Sequence, residues 1–143
     1  MKELDSIVEN LRKSGFKLTP QRLAIIEFLI GNKNHPTAES IYAEVKIRYP
    51  MISLSTIYNT LEALQSIGEV QHFVISGESA RFDSDIRPHH HFYCLKCRAV
   101  KDIFRDLEIP QDQVDGHRIQ SWRVYFYGTC SDCLKKQPKE VLS

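Results

Sequence analysis

The sequence predicts an α+β protein made of two domains, and three observations lead to this fold class. Apolar side chains follow helical spacing through the first 68 residues, and two short strand-like runs come next. The pattern beyond residue 84 is typical of strands, and all four cysteines fall there in two C-x-x-C pairs. We expect a winged helix-turn-helix domain in residues 1–83, a hinge in residues 84–88, and an α/β dimerisation domain with a four-cysteine zinc site in residues 89–143.

Length and charge set the limits of this prediction. The 143 residues are 42% hydrophobic, which is enough for packed cores in one ordinary domain or two small ones. The chain shows no apolar run near the roughly 20 residues of a membrane span, and its N-terminus lacks a signal-peptide pattern, so we expect a soluble cytoplasmic protein. The net charge of +1 does not indicate a nucleic-acid partner. A DNA-binding prediction therefore needs a local basic surface and a helix that reads bases.

Four helices are predicted before residue 68. The first carries apolar residues at i, i+3, i+4 and i+7, namely Leu4, Ile7, Val8 and Leu11. Thr19, directly before Pro20, and Thr37 are the predicted N-terminal caps of the second and third helices, and the fourth helix begins at Ser53-Leu54-Ser55-Thr56. Helix ends are expected near Gly15, Ile30, Pro50 and Gly68. The strands that follow, Val70–Ile75 and Ala80–Phe82, complete the order of a winged helix-turn-helix.

The fourth helix is the candidate reading helix. Its predicted buried stripe is Leu54, Ile57, Tyr58, Leu61, Leu64 and Ile67, and its polar face is Ser55, Thr56, Asn59, Thr60 and Gln65. Small polar residues near a helix N-terminus let backbone amides approach phosphates, and Asn59 is long enough to reach a base edge. Tyr58 fits either the core or a backbone contact. The same pattern fits an ordinary solvated helix face.

A local group of basic residues could supply phosphate contacts that the total charge conceals. The group consists of Arg12, Lys13, Lys17 and Arg22. A solvated surface would look the same in the sequence.

The two cysteine pairs, Cys94/Cys97 and Cys130/Cys133, are separated by 32 residues. Two C-x-x-C turns brought together by the intervening chain can surround a tetrahedral Zn²⁺. Disulfide bonds or redox chemistry are the alternatives, and a cytoplasmic setting and the second pair weigh against them. A closed site of four cysteines has no open coordination position, so we expect it to stabilise the fold and not to catalyse.

Strand patterns dominate the second half. Strands are predicted at His89–Cys94, at Ala99–Phe104 and at Trp122–Tyr127, with a short helix at Pro110–Gly116. Large residues cover both faces of the third strand, which predicts a homodimer, although a merely tyrosine-rich exposed face is the alternative.

A second metal site is predicted from nitrogen and oxygen donors. His89 and His91 point to one face of a strand and His90 to the other. Together with Asp83 and Asp102 they would suit Fe²⁺, Mn²⁺ or Zn²⁺. The alternatives are ordinary polar surface and a histidine that replaces a cysteine ligand.

Six ordered motifs between Leu18 and Cys133 carry a resemblance to a known family. They are Leu18-Thr19-Pro20-Gln21-Arg22, His35-Pro36-Thr37-Ala38, Ser55-Thr56-Ile57-Tyr58-Asn59-Thr60-Leu61, Arg81-Phe82-Asp83, His89-x-His91-x-x-Cys94-x-x-Cys97 and Cys130-x-x-Cys133. The chain resembles the ferric uptake regulator (Fur) superfamily and, within it, the peroxide-stress regulator (PerR) branch. Aspartate at position 102 and asparagine at position 59 are the residues that resemble this branch.

The resemblance implies a homodimeric, metal-dependent transcriptional repressor that binds operator DNA and is not an enzyme. It assigns the structural zinc to the four cysteines and a regulatory Fe²⁺ or Mn²⁺ to five ligands, His35, Asp83, His89, His91 and Asp102. One ion would then have ligands from both domains. Peroxide acting on bound Fe²⁺ would oxidise His35 or His89. The chain lacks the histidine from which some relatives build an auxiliary zinc site, and His72, His90 and His117 match no ligand.

Three other functions stay open on the sequence. An iron- or zinc-uptake regulator of the same superfamily would respond to metal level instead of peroxide. A metallohydrolase would use the nitrogen and oxygen site, although nothing pairs a general base with an open zinc. A zinc-ribbon interaction module would not bind duplex DNA at all.

Overall fold

The computed structural model of the chain describes residues 2–75, 77–107, 113–120 and 122–136. The chain divides into two compact units, Met1–Ile86 and Arg87–Ser143. The division falls inside the segment 84–88 that the sequence predicts as a hinge, and bending at this segment stays a prediction. Within the described residues, no helix combines the length and the apolar character needed to cross a bilayer.

The first unit is a four-helix domain that ends in a two-stranded antiparallel sheet. Its elements are α1 (Lys2–Lys13), α2 (Pro20–Leu29), α3 (Ala38–Arg48), α4 (Leu54–Ser66), β1 (Gln71–Phe73) and β2 (Arg81–Asp83). This order is that of a winged helix-turn-helix, in which α4 takes the position of the reading helix and the β1–β2 hairpin that of the wing. The prediction for this part of the fold is confirmed.

The predicted helix caps are present. The side-chain oxygens of Thr19 and Thr37 accept hydrogen bonds from backbone amides three residues later, at 3.2 and 3.1 Å. Ser53 caps α4 in the same way, at 3.2 Å. Each bond satisfies an amide that a helix N-terminus would otherwise leave unpaired, which explains why the helices begin at these positions.

The apolar faces of the four helices meet in one core. It includes Ile7, Leu11, Ile25, Ile26, Leu29, Ile41, Val45, Ile57, Leu61 and Leu64. The predicted stripe of α4 is wrong at Leu54 and Tyr58, which are 36% and 45% exposed. Tyr58 lies about 100° around the helix from Ile57, beyond the edge of the stripe. Thr60 is predicted on the polar face but is fully buried, and its hydroxyl is satisfied there because it donates to the Thr56 carbonyl at 2.7 Å.

The second unit contains a three-stranded mixed sheet. Its strands, β3 (His90–Cys94), β4 (Val100–Ile103) and β7 (Tyr125–Gly128), lie in the order β4-β3-β7. Strand β3 pairs antiparallel with β4 and parallel with β7. The helix α5 (Ser131–Lys135) follows. The unit is therefore of mixed α/β type, as predicted.

Two predictions for this unit need correction. Residues 113–116 are not helical: Gln113–Val114 (β5) and His117–Arg118 (β6) form an antiparallel hairpin. Its turn is Asp115-Gly116 with φ of +52° and +81°, a dipeptide that favours a tight hairpin over a helix. The predicted strand at residues 122–127 begins only at Tyr125. The rest of the predicted helix, residues 110–112, and the tail from 137 lie outside the described residues.

Candidate metal centres

The four cysteines form one cluster inside the second unit. Their sulfur atoms all lie within 4.8 Å of one another. Two of the separations, Cys94 to Cys133 and Cys97 to Cys130, are 3.8 Å each. Four sulfurs about 2.3 Å from a tetrahedral Zn²⁺ would be about 3.8 Å apart. The donor set and its spacing therefore fit a zinc ion without rearrangement.

Local backbone structure holds the cysteines in place. Cys94 ends β3, and Cys130 is the N-cap residue of α5, the helix that carries Cys133. The backbone amides of Cys97 and Cys130 both donate to the sulfur of Cys94 at 3.4 Å. Arg98 has a φ of +63°, which turns the chain back from the first C-x-x-C segment into β4. Such amide-to-sulfur bonds stabilise a thiolate in place.

The pKa values of Cys94 and Cys133 are shifted in a way that fits a cation-binding site. The amide bonds from Cys130 and Cys97 lower the pKa of the Cys94 thiol from 9.0 to about 6. The pKa of Cys133 is raised to about 12, first because of its hydrogen bond with the sulfur of Cys130 and then because of burial. Four sulfurs this close cannot all be thiolates unless a cation is present. A divalent metal would supply that charge.

The first unit holds a buried imidazole–carboxylate pair. His35 is 0% exposed and Asp83 is 3% exposed, and the His35 Nε2 lies 3.3 Å from Asp83 Oδ2. His35 comes from the loop before α3, and Asp83 ends β2. Two contacts bring that loop to the wing: the Phe82 amide donates to the Pro36 carbonyl at 2.9 Å, and the Arg81 guanidinium donates to the His35 carbonyl at 3.2 Å. The wing strand thus fixes the position of His35.

His35 adopts a left-handed backbone conformation, with φ of +53°. Few residues other than glycine adopt this conformation, and its cost is about 1–3 kcal/mol. Strain of this kind persists where surrounding contacts impose it, and it is concentrated at functional sites. The strain and the complete burial of His35 mark it as a candidate ligand.

The second unit holds a complementary group of two histidines and one carboxylate. Asp102 Oδ1 lies 3.0 Å from His89 Nε2 and 3.6 Å from His91 Nε2. His91 and Asp102 are direct partners in the β3–β4 ladder, which places both side chains on one face. His89 lies two residues before His91, which is one period of a strand, so its side chain is on the same side as that of His91. Nitrogen and carboxylate oxygen donors in this arrangement suit a borderline divalent metal such as Fe²⁺, Mn²⁺ or Zn²⁺.

His90 lies on the opposite face of β3, as strand alternation requires. It is 8% exposed, and its Nδ1 accepts a hydrogen bond from the Val124 amide at 2.9 Å. Its ring packs against Trp122, with centroids 5.2 Å apart. The side chain of His90 therefore binds the chain before β7 to the sheet. His72 and His117 are exposed.

The candidate DNA-contacting residues all lie in the first unit. Ser55, Tyr58 and Asn59 are exposed on α4, and the Thr56 hydroxyl lies 3.0 Å from that of Ser53. Of the basic group, Arg12, Lys13 and Lys17 are exposed. Arg22 is half-buried, because its guanidinium donates to the Lys17 carbonyl at 2.6 Å and lies over the ring of Phe16. Their contacts with DNA stay a prediction.

The structure places two further side chains against candidate site residues, and the sequence analysis did not assign either of them to a site. Phe104 stacks on the ring of His89, and Glu39 accepts a hydrogen bond from Tyr58 at 2.9 Å. Phe104 is two residues after Asp102, so the strand period already placed both on one face. Glu39 offered no comparable signal, because its contact depends on how α3 packs against α4.

Comparison with known proteins identifies the family. The model of the ferric uptake regulator family matches residues 13–127. A peroxide-responsive repressor PerR of Staphylococcus epidermidis is 36% identical over 138 residues, which cover 94% of this chain and 92% of the relative. A peroxide operon regulator of Bacillus subtilis is 33% identical over 139 residues, 94% of this chain and 96% of the relative.

A solved structure agrees with the fold. The ferric uptake regulator of Helicobacter pylori superposes with a TM-score of 0.75 and covers 96% of each chain, at 24% sequence identity. The family match spans most of both units, and it confirms the resemblance drawn from the six motifs. The chain belongs to the ferric uptake regulator family, whose members are transcription regulators and not enzymes.

Proposed function

We propose that this protein is a cytoplasmic, homodimeric, metal-dependent repressor that releases its operator DNA when peroxide oxidises one of its metal ligands. The curated relatives that match it over 94% of its length are named for peroxide response. The observation that carries the proposal is the set of buried imidazole–carboxylate contacts, His35 with Asp83 and His89 and His91 with Asp102. Burying such groups carries a free-energy cost that pairing or a bound metal offsets, and groups of this kind are concentrated at functional sites.

Two classes of metal follow from the two donor sets. We assign a structural Zn²⁺ to Cys94, Cys97, Cys130 and Cys133, because four soft thiolates leave no open position. We assign a regulatory Fe²⁺ or Mn²⁺ to His35, Asp83, His89, His91 and Asp102, because imidazole and carboxylate suit harder ions. The first unit offers two of these five ligands and the second offers three. Neither set alone supplies the five ligands of the proposed site.

Sharing the ion between the units would couple metal binding to DNA binding. An ion that needs ligands from both units favours the arrangement of the units in which all five can bind. It shifts the population by its differential affinity for that arrangement. In a dimer, the arrangement sets the distance between the two α4 helices, which must match the spacing of two half-sites on one face of the DNA.

Peroxide sensing depends on which ion is bound. Fe²⁺ supplies the redox chemistry that adds one oxygen atom from peroxide to a ligand histidine, whereas Mn²⁺ supports DNA binding without this reaction. His35 and His89 are the candidate targets. An oxidised histidine is a poorer metal ligand. When the ion loses this ligand, it no longer favours the DNA-binding arrangement of the two units.

The first experiment tests the shared site. His35→Ala is expected to abolish Mn²⁺-dependent operator binding in a gel-shift titration, while zinc content stays at the wild-type value. His117→Ala is the matched control, because His117 is exposed and lies outside the proposed ligand set. Unchanged operator affinity in the His35 variant would remove this residue from the site.

The second experiment tests peroxide sensing by mass spectrometry. The protein is loaded with Fe²⁺ or Mn²⁺, treated with hydrogen peroxide and digested with trypsin. The sequence places His35 in the peptide of residues 34–46 and His89 in that of residues 82–96. A gain of one oxygen on either peptide is expected with Fe²⁺ only. If neither peptide gains oxygen while metal still restores DNA binding, the protein regulates iron or zinc uptake in response to metal level.

A further inference from the structure

We propose that Gln71 is a positioning residue that holds the first half of the predicted hinge, residues 84–88, against the wing, so that bending between the two units is confined to Ile86 and Arg87. This inference rests on the proposed function, in which one ion favours a particular arrangement of the units. It adds where the chain bends, and which side chain outside the ligand set orients a ligand carboxylate.

The wing hairpin places Gln71 beside a proposed metal ligand. Gln71 of β1 and Asp83 of β2 are direct partners in the antiparallel ladder. The side chains of direct partners lie on the same face of a sheet, with their Cβ atoms about 4.5–5.5 Å apart. Both side chains are therefore next to the segment that leaves the end of β2.

These two side chains hold the peptide groups of Asp85 from both sides. The Asp85 amide donates to Asp83 Oδ1 at 2.9 Å, and the Asp85 carbonyl accepts a hydrogen bond from Gln71 Nε2 at 2.7 Å. The preceding residue is held as well, because the Gly31 amide donates to the Ser84 hydroxyl at 3.0 Å. Residues 84 and 85 are thus tied to the wing and to the turn after α2.

The two oxygens of the Asp83 carboxylate contact different groups. Oδ1 accepts from the Asp85 amide, whereas Oδ2 lies 3.3 Å from Nε2 of His35, the other proposed ligand of the first unit. The orientation of this carboxylate is therefore linked to that of the Asp85 peptide, which Gln71 holds from the carbonyl side. Groups that orient a metal ligand in this way affect metal affinity by about 10–100-fold.

The other end of the hinge is tied to a proposed ligand of the second unit. His89 Nδ1 lies 2.6 Å from the Arg87 carbonyl, and it donates this hydrogen bond because a carbonyl oxygen can only accept. Arg87 also precedes Pro88, whose ring restricts the residue before it and fixes its own φ near about −65°. Ile86, which is 52% exposed, lies between the two tied ends. The backbone torsions of Ile86 and Arg87 are therefore where the chain bends.

Loss of the Gln71 hydrogen bond should release residues 84 and 85 and, with them, the Asp83 carboxylate. Both then have to become ordered when metal binds, which lowers the apparent affinity for the ion. The five proposed ligands are unchanged, so the DNA-binding arrangement is still reached at high metal concentration. We expect an effect smaller than that of losing a direct partner of a ligand, because Gln71 acts one bond further out.

The test uses Gln71→Met in the full-length protein, which keeps the length of the side chain and removes the donor. In zinc-containing protein without regulatory metal, NMR should show that the Asp85 amide exchanges its hydrogen severalfold faster, while the amide of buried Leu61 in α4 keeps its wild-type rate. In a gel-shift titration, the Mn²⁺ concentration for half-maximal operator binding should rise severalfold, with wild-type affinity at saturating Mn²⁺. Gln120→Met, the same change at an exposed position, is the control and should alter neither quantity.

Three results would overturn the inference while leaving the proposed function intact. An Asp85 exchange rate equal to that of wild type would mean that Gln71 does not hold the hinge. Faster exchange with an unchanged Mn²⁺ midpoint would mean that the hinge contact is not coupled to the metal site. Faster exchange at Leu61 as well would mean that the variant destabilises the whole unit. If the wild-type protein binds its operator equally well without regulatory metal, the proposed function is wrong and the inference is overturned with it.

Discussion

The two units of the chain achieve stability by different means. In Met1–Ile86, apolar residues from all four helices form one buried core, and polar groups are used mainly to cap the helices. Among the described residues of Arg87–Ser143, the buried apolar side chains are Tyr93 and Val100, together with Cys94 and Cys130. An apolar core this small does not stabilise a domain by itself. The first unit is stabilised by hydrophobic burial, and we expect the second to depend on metal binding at the cysteine cluster.

Exposed apolar residues are present in both units, and Met51 and Ile47 of the first are 90% and 77% exposed. Phe104, Tyr127 and Leu134 of the second unit are each 50% exposed or more, and Phe126 is 37% exposed. Residues of this kind at the surface of a small unit are typical of an interface. They support the proposed homodimer, in which a partner would add the burial that this unit lacks.

The largest effect is expected when the cysteine cluster loses its metal, because only the second unit should then unfold. Cys97→Ser is expected to unfold the second unit and abolish dimerisation while the first unit keeps its helices, because zinc-binding free energies of about 10–16 kcal/mol stabilise comparable small domains. Zinc content, size-exclusion chromatography and limited proteolysis measure the three effects. Ser131→Ala, next to the cluster, is the control.

A second unit that stays folded and dimeric without zinc would contradict the structural role of the cluster. Treatment of the wild-type protein with a strong chelator should give the same result as the substitution. A difference between the two would mean that the serine, and not the loss of metal, disturbs the fold.

A cavity in the apolar core tests whether hydrophobic burial stabilises the first unit. Leu64 is fully buried, so Leu64→Ala is expected to destabilise this unit by about 2–5 kcal/mol in chemical denaturation. Zinc content should not change. Val74→Ala is the control, because Val74 is 54% exposed and its truncation should cost less than about 0.5 kcal/mol. Loss of zinc from the Leu64 variant would show that the two units do not fold independently.

The comparison also explains which parts of the fold the sequence could predict. Helices of the first unit follow local rules, a cap residue and a stripe at helical spacing, so their positions were predicted to within a few residues. The β5–β6 hairpin was missed because the Asp115-Gly116 turn signal was outweighed by an expected helix. Tyr58 is exposed because it lies one residue past Ile57, at the edge of the helical stripe, where the sequence pattern fitted either burial or a DNA contact.

The candidate sites divide in the same way. His89, His91 and Asp102 could be placed together from strand periodicity on adjacent strands. His35 could not, because it reaches Asp83 only through the contact between its loop and β2. Its role came from the family resemblance alone. Phe104 could have been found from its spacing to Asp102, but an aromatic residue next to an imidazole is not by itself a signal.

Asp102→Glu sharpens the difference between structural and regulatory groups in the second unit. The added methylene displaces a carboxylate that lies 3.0 Å from His89 and 3.6 Å from His91. We expect slower oxygen gain on the histidine peptides under Fe²⁺ and peroxide, with zinc content and dimerisation unchanged. Asp106→Glu, at an exposed position, is the control. Oxidation at the wild-type rate would remove the basis for the peroxide assignment at this position.

The smallest effect is expected at the surface of the first unit, where the Tyr58 hydroxyl donates to Glu39 at 2.9 Å. This bond raises the pKa of Tyr58 above 10.0, so the phenol stays a hydrogen-bond donor throughout the neutral range. We expect Tyr58→Phe and Glu39→Ala each to weaken operator binding by less than about tenfold, because an exposed hydrogen bond that only orients a contacting side chain has a small effect on affinity. If Glu39 acts by orienting Tyr58, the double variant should bind no more weakly than Tyr58→Phe alone in a fluorescence anisotropy titration. Additive losses would show instead that Glu39 acts on the DNA independently of the phenol. Thermal stability should stay within about 0.5 kcal/mol of wild type in all three variants, since neither side chain contributes to the buried core that holds this unit together.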